Sequence, residues 1–280
     1  MPLKSRILTA ISVLLFSSLG VASLRAQLVF DLDFTGATAT YNSSAGSLVI
    51  DVEDVAKGVV GPDVDLRIES IGPYQPDTAE KGGDVSQGGN NGSPPGTDDV
   101  RIHLDAGTTT RFRFSLYDGD GTFSTLFQPG VDFSFTIVSY DLDGSAGYED
   151  ILRIYSPVVY TLTTTTKIAA SLGPGGEYVE FTGGGAGEVV GQAGLTSLTP
   201  DQEDVSVMLE FNNLSEFVFE YTVTEVGRNR SGRNLLFDGD DLLVNGPPTL
   251  FEPPVVPEPA SGSLLFLGLA AYALARRRRG

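Results

Sequence analysis

Hydrophobic and polar residues take turns along most of this chain. In VDFSFTIVSY, Val131, Phe133, Phe135 and Ile137 fall on one side of an extended segment, and Asp132, Ser134 and Thr136 on the other. RFRFSLY does the same with Phe112, Phe114 and Leu116, VSVMLEF with Val205, Val207, Leu209 and Phe211, and EFVFEYTV with Phe217, Phe219, Tyr221 and Val223. Successive side chains of a strand point to opposite faces, so period-two runs rich in β-branched and aromatic residues predict half-buried strands. LVFDLDF, LVIDV, VDLRIES, VRIHL, DILRIY, VVYTLTTT and EYVEF carry the same pattern. It predicts about ten to thirteen strands in all.

Helical periodicity is nearly absent between residues 27 and 257, and Gly, Pro, Asn and Asp gather between the alternating runs. A sheet with one apolar face must bury it against another sheet, so the expected fold is all-β: a two-sheet antiparallel sandwich of jelly-roll type. Two polar, Gly-rich stretches, residues 72–99 and 182–200, interrupt the strands and read as disordered or decorative loops. From Asn245 the sequence NGPPTLFEPPVVPEP reads as a stiff, Pro-rich spacer.

The two ends follow a different pattern. Lys4 and Arg6 precede an almost uncharged apolar run over residues 7–24, followed by Arg25-Ala26-Gln27. A basic start, an apolar stretch of this length and a small residue before the cut predict a secretory signal peptide cleaved after Ala26, or else at Ser23. An uncleaved N-terminal membrane helix is the alternative. Export through a Sec-type machinery and cleavage by signal peptidase follow from the first reading. The expected organisation is a signal peptide at 1–26, a β-sandwich domain at 27–245, a linker at 246–256 and a separate C-terminal signal at 257–280. Short hydrophobic helices are expected at both ends.

Residues 261–275 are uncharged, and as a helix they would be about 22 Å long, short for a hydrocarbon core of about 30 Å. Arg276, Arg277, Arg278 and Arg279 would sit at the cytoplasmic side, leaving the body outside. The segment therefore predicts transient inner-membrane insertion. A glycosylphosphatidylinositol signal does not fit, because its hydrophobic tail lacks a terminal basic block. The order Pro257-Glu258-Pro259, short hydrophobic helix, arginine cluster resembles the PEP-CTERM sorting signal of Gram-negative bacteria. That resemblance implies recognition and removal of the tail by an exosortase-type membrane protease, with Pro257, Glu258, Pro259 and the four arginines as sorting residues. It also implies delivery to the outer envelope or extracellular matrix, commonly in company with exopolysaccharide. An ordinary C-terminal membrane anchor is the alternative.

Charge narrows the partners. Residues 27–256 hold eleven basic residues against 35 acidic ones. Such an acidic body repels nucleic acid and anionic membranes and favours cations or neutral, hydroxyl-rich ligands. The chain has no cysteine, so neither disulfides nor a thiol nucleophile enter. Four places show an aromatic residue followed by Asp-x-Asp: Phe30-Asp31-Leu32-Asp33, Tyr117-Asp118-Gly119-Asp120, Tyr140-Asp141-Leu142-Asp143 and Phe237-Asp238-Gly239-Asp240. Several carboxylates converging at a turn suit a hard cation, and calcium is the expected cofactor if there is one. The strongest groups are Asp141, Asp143, Glu149 and Asp150, then Asp238, Asp240 and Asp241. By analogy with jelly-roll domains, the first and last strands would bring Asp31 or Asp33 near Asp240 or Asp241. The spacing is not that of an EF-hand, since Ser145, Ala146 and Leu152 occupy its fifth, sixth and twelfth positions. Asp-Gly is also a common turn pair, so turns alone account for some matches.

Catalysis finds less support. The one histidine, His103, alternates with Arg101 and Asp105 on the polar side of VRIHLDAG and reads as an exposed strand residue. No particular carboxylate pair is singled out for glycoside hydrolysis. The chain lacks tryptophan, leaving Tyr74, Tyr148 and Tyr178 as exposed aromatic platforms for a sugar. The expected function is that of a secreted, non-enzymatic envelope or matrix protein. A calcium-assisted carbohydrate-binding module is the first alternative, and a glycoside hydrolase or lyase the second.

Overall fold

The computed structural model describes residues 28–34, 36–42, 46–55, 63–76, 99–128, 133–145, 148–183, 198–224, 233–239 and 246–254. The segments expected to be a signal peptide and a C-terminal signal, and most of both Gly-rich stretches, lie outside the described residues. In chain order the strands are β1 (Leu28–Asp31), β2 (Thr38–Asn42), β3 (Ser47–Val52), β4 (Val64–Ser70), β5 (Val100–Leu104), β6 (Thr108–Asp118), β7 (Phe133–Tyr140), β8 (Gly144–Ser145), β9 (Tyr148–Ile154), β10 (Val158–Thr161), β11 (Ile168–Leu172), β12 (Val179–Gly183), β13 (Val207–Asn212), β14 (Glu216–Val223), β15 (Arg233–Asp238) and β16 (Pro248–Phe251). One helical turn, α1 (Pro200–Glu203), is closed by a capping box between Thr199 and Gln202.

The strands form two sheets. One runs β16-β10-β13-β7-β15-β5, and the other β11-β12-β9-β14-β6-β4-β3-β2, with the two-residue β8 attached to β9. Every pairing is antiparallel except that of β1, which lies parallel to the first half of β7, Leu28 opposite Phe133. β15 takes the second half of the same edge, with Leu236 opposite Tyr140. The period-two pattern becomes burial directly: β9 and β14 bury every second residue, as do β3 and most of β6.

Phenylalanines join the two layers. Phe114, Phe217 and Phe219 from one sheet meet Phe135, Phe211 and Phe237 from the other, all at most 1% exposed. Phe211 and Phe217 stack across the layers at 4.0 Å between ring centroids, and Phe114 and Phe135 at 5.8 Å. Each such pair adds about 0.5–1.5 kcal/mol to the gain from burying its area.

Two expectations change. The stretch expected to be a spacer begins as a strand, since β16 pairs with β10 over Val158–Thr161 and Phe251 is buried in the core. The outer face of the β7 sheet is also covered, not open to water. Val138, Tyr140 and Leu236 are buried there, with Leu198 and Met208 packed against them. His103 shares this face and is 7% exposed, so it is buried, with Nδ1 2.8 Å from Asn234 Oδ1.

Candidate functional site

The acidic loop after β7 folds inward. Adjacent residues on a strand face opposite ways, so β9 sends Tyr148, Asp150, Leu152 and Ile154 into the interior and Glu149 outward. Glu149 therefore does not join Asp150; its N–H donates to Thr224 Oγ1 at 2.9 Å. Asp143 and Asp150 do come together, at 1% and 0% exposure, and Arg233 from the start of β15 reaches both. Its Nη2 donates to Asp143, and its Nε lies 3.3 Å from Asp150 Oδ2. Tyr221 donates to Asp150 Oδ1 at 2.9 Å, and the Tyr148 ring lies 4.3 Å from the guanidinium carbon. Asp141 is buried beside them in a left-handed conformation, φ 64°.

Burial pushes the Asp150 carboxyl up to about 7; Arg233 and Tyr221 pull against that shift, and Asp143 adds to it. Burial likewise pushes the Tyr221 hydroxyl well above the usual phenol range, with Asp150 adding to it. For Arg233 burial works the other way, yet the carboxylates of Asp150 and Asp143 hold it above the usual guanidinium range. The arrangement is a buried ion cluster in which the Arg233 guanidinium bridges two of the carboxylates expected as calcium ligands, Asp143 and Asp150. Among the described residues, no three His, Asp or Glu side chains form a group that could hold a metal ion.

The other acidic groups are placed differently. Asp120 Oδ1 accepts from Thr122 N at 2.9 Å and from its hydroxyl at 2.6 Å, which fixes a turn and lowers the Asp120 carboxyl. Asp238 ends β15 with its side chain 2% exposed. Gly239 packs against the Leu32 backbone so closely that a Cβ would fall 1.6 Å from the Leu32 oxygen. Leu32 of the first Asp-x-Asp segment and Gly239 of the last therefore meet, and the backbone contact itself requires the glycine. Asp240 and Asp241 lie outside the described residues, as do Pro257, Glu258, Pro259 and Arg276 to Arg279.

The outer face of the β14 sheet carries a charge lattice not anticipated from the acidic motifs. Glu180 on β12, Arg153 on β9, Glu220 on β14 and Arg111 on β6 are successive cross-strand neighbours. Arg153 donates to Glu180 at 2.6 Å and to Glu220 at 2.5 Å, and Arg111 donates to Glu220 at 3.2 Å. Arg67 grips Asp51 through two bonds of 2.6 and 2.9 Å, and Arg113 lies between Glu69 and Glu216. Half-exposed pairs of this kind contribute about 0–1 kcal/mol each, so they fix geometry more than they stabilise the fold. The readable signal was arginine at outward positions of alternating runs, Arg111 and Arg113 in RFRF and Arg153 in DILRIY. Two of the three tyrosines expected on the surface, Tyr74 and Tyr148, are buried at 2% and 4% exposure, and Tyr178 is half-buried.

A family model described as the PEP-CTERM protein-sorting motif matches residues 255–279. No curated protein and no solved structure matches the chain. The motif marks the chain as an exported substrate of exosortase processing that passes through the membrane.

Proposed function

We propose that this chain is a non-enzymatic β-sandwich protein delivered by exosortase-type processing to the outer envelope or extracellular matrix, where it associates with exopolysaccharide. The observation that carries the reading is the sorting motif at 255–279, which begins four residues after a folded two-sheet body ends at Phe251. The jelly-roll assignment rests on strand order. β5-β15-β7-β13 in one sheet and β6-β14-β9-β12 in the other match the strand order of two interlocked Greek keys; β10, β16, β11, β4, β3 and β2 extend the sheets beyond them, while β1 and the short β8 attach to β7 and β9. Support for a non-catalytic role comes from the acids themselves. Those in the interior cluster are engaged by Arg233, and those of the outer lattice by Arg67, Arg111, Arg113 and Arg153.

The test is mass spectrometry of the mature C-terminus in fractionated host cells, wild type against Glu258→Ala. The reading expects a wild-type chain ending near Pro259 in the outer envelope or medium, and a variant that keeps its arginine-tipped tail in the inner membrane. Identical tails and locations would reduce residues 261–279 to an ordinary anchor and remove the matrix role.

A calcium-assisted form of the same function is favoured at one place, where Gly239 against Leu32 brings residues 31–33 beside Asp238 and Gly239. Calcium bound there at a hundred times its Kd would stabilise the fold by about 2.7 kcal/mol. The melting temperature of the secreted protein in millimolar calcium and in chelator is the check, and an unchanged melt removes the ion.

A further inference from the structure

Beside the Glu180-Arg153-Glu220-Arg111 row lie two aromatic rings that the core does not use. Tyr155 follows β9, and its N–H donates to Val218 O at 3.1 Å; Tyr178 precedes β12, and its carbonyl accepts from Gly173 N at 2.9 Å. Both rings are half-buried, on the outward side of their strands, with centroids 5.1 Å apart. The Tyr178 ring leans over Gly173 so closely that a Cβ there would come within 2.4 to 2.6 Å of three ring carbons. Glycine at 173 is what admits that ring pose. Arg153 lies 5.4 Å from the Tyr178 centroid and Arg111 lies 4.4 Å from the Tyr155 centroid, and Arg111 also donates to the Tyr155 hydroxyl at 3.1 Å. The two rings are thus held in place before any ligand arrives.

We propose that this face binds a neutral polysaccharide, with the exposed parts of the Tyr155 and Tyr178 rings as its apolar contacts and Arg111, Arg153, Glu180 and Glu220 as the hydrogen-bonding groups around them. The inference rests on the matrix reading above for its setting and adds to it a site and a ligand class. The charges select the class. The face sets four arginines, Arg67, Arg111, Arg113 and Arg153, against five carboxylates, Asp51, Glu69, Glu180, Glu216 and Glu220. A polyanion would meet those fixed carboxylates on a chain of net charge −18, and a polycation would have to break the arginine pairs to gain contact. Hydroxyl groups need neither. A guanidinium has five donors and a carboxylate about four acceptor sites, so paired groups keep capacity for a sugar's hydroxyls. The C–H faces of a sugar ring are apolar and slightly positive, which suits the negative face of a tyrosine ring. Rings already fixed lose little freedom on binding.

The experiment is affinity electrophoresis of the secreted, processed protein in gels containing hydroxyethyl cellulose, galactomannan, dextran or alginate. The proposal expects retardation in at least one of the three neutral polymers and none in alginate. Tyr155→Ala and Tyr178→Ala should each weaken that retardation by about 10-fold, while Tyr178→Phe, which keeps the ring, retains most of it. Melting temperatures close to wild type show that the alanine variants are folded. No retardation in any neutral polymer overturns the proposal, as does retardation in alginate alone or retardation equally strong in folded alanine variants. Because processing is read separately from the mature C-terminus, the site can fail while the sorting reading stands.

Discussion

At Arg233 one guanidinium serves two buried carboxylates, Asp143 and Asp150. Removing one partner of a buried ion cluster leaves charge without compensation, at a typical cost of about 3–5 kcal/mol. Arg233→Met should destabilise by that order, measured by denaturant unfolding. Asp150 supplies a pH signature. Its folded carboxyl sits at about 7, raised chiefly by burial, against an ordinary 3.8, so between those values the folded state holds more of its proton than the unfolded state. The stability tied to that proton is full below about pH 4 and is lost as pH rises toward about 7. Melting temperatures from pH 4 to 8 should therefore fall more steeply in wild type than in Asp150→Asn, which keeps the polar contact without the titration. Parallel curves would place the proton elsewhere.

Between the layers, β14 brings Phe217 against Phe211 at 4.0 Å and Phe114 at 4.6 Å. Phe217→Ala should cost about 3–5 kcal/mol through lost burial and a residual cavity, lowering the melting temperature by roughly 10 °C, whereas Val218→Ala on the outward side should change little. These inward residues were legible because period two is a direct image of the pleat. β6, β7, β9, β13 and β14 fall where alternation of Phe, Val, Ile and Leu places them. What could not be read depends on neighbours far along the chain. β11 (IAASL) and β16 (PTLF) expose most of their residues, and their apolar positions do not alternate with polar ones, so neither shows a period. Tyr140 and His103 sit on a polar-looking side that becomes buried only because further chain covers it. The acidic loop was legible as a cluster, but Arg233, about 90 residues away, decides what the cluster is.

Across the whole molecule, residues 27–256 hold 35 acids against eleven bases. Repulsion at that imbalance is long-ranged and screened by salt, whereas the arginine pairs of the outer lattice contribute at most about 1 kcal/mol each. The melting temperature of the secreted protein should rise between 10 and 200 mM salt; a fall would mean that the arginine lattice outweighs the repulsion. The placement of β16 bears on processing in a different way. Because Phe251 is anchored in the core, nine residues separate it from the uncharged segment that begins at 261, a span of at most about 35 Å. With that segment in the bilayer, the folded body stays within about one domain's width of the membrane surface. The exosortase-type protease proposed to remove the tail would then work in a gap no wider than a typical soluble domain, so its reachable face would lie near the lipid boundary, or β16 would peel from β10 to lengthen the leash.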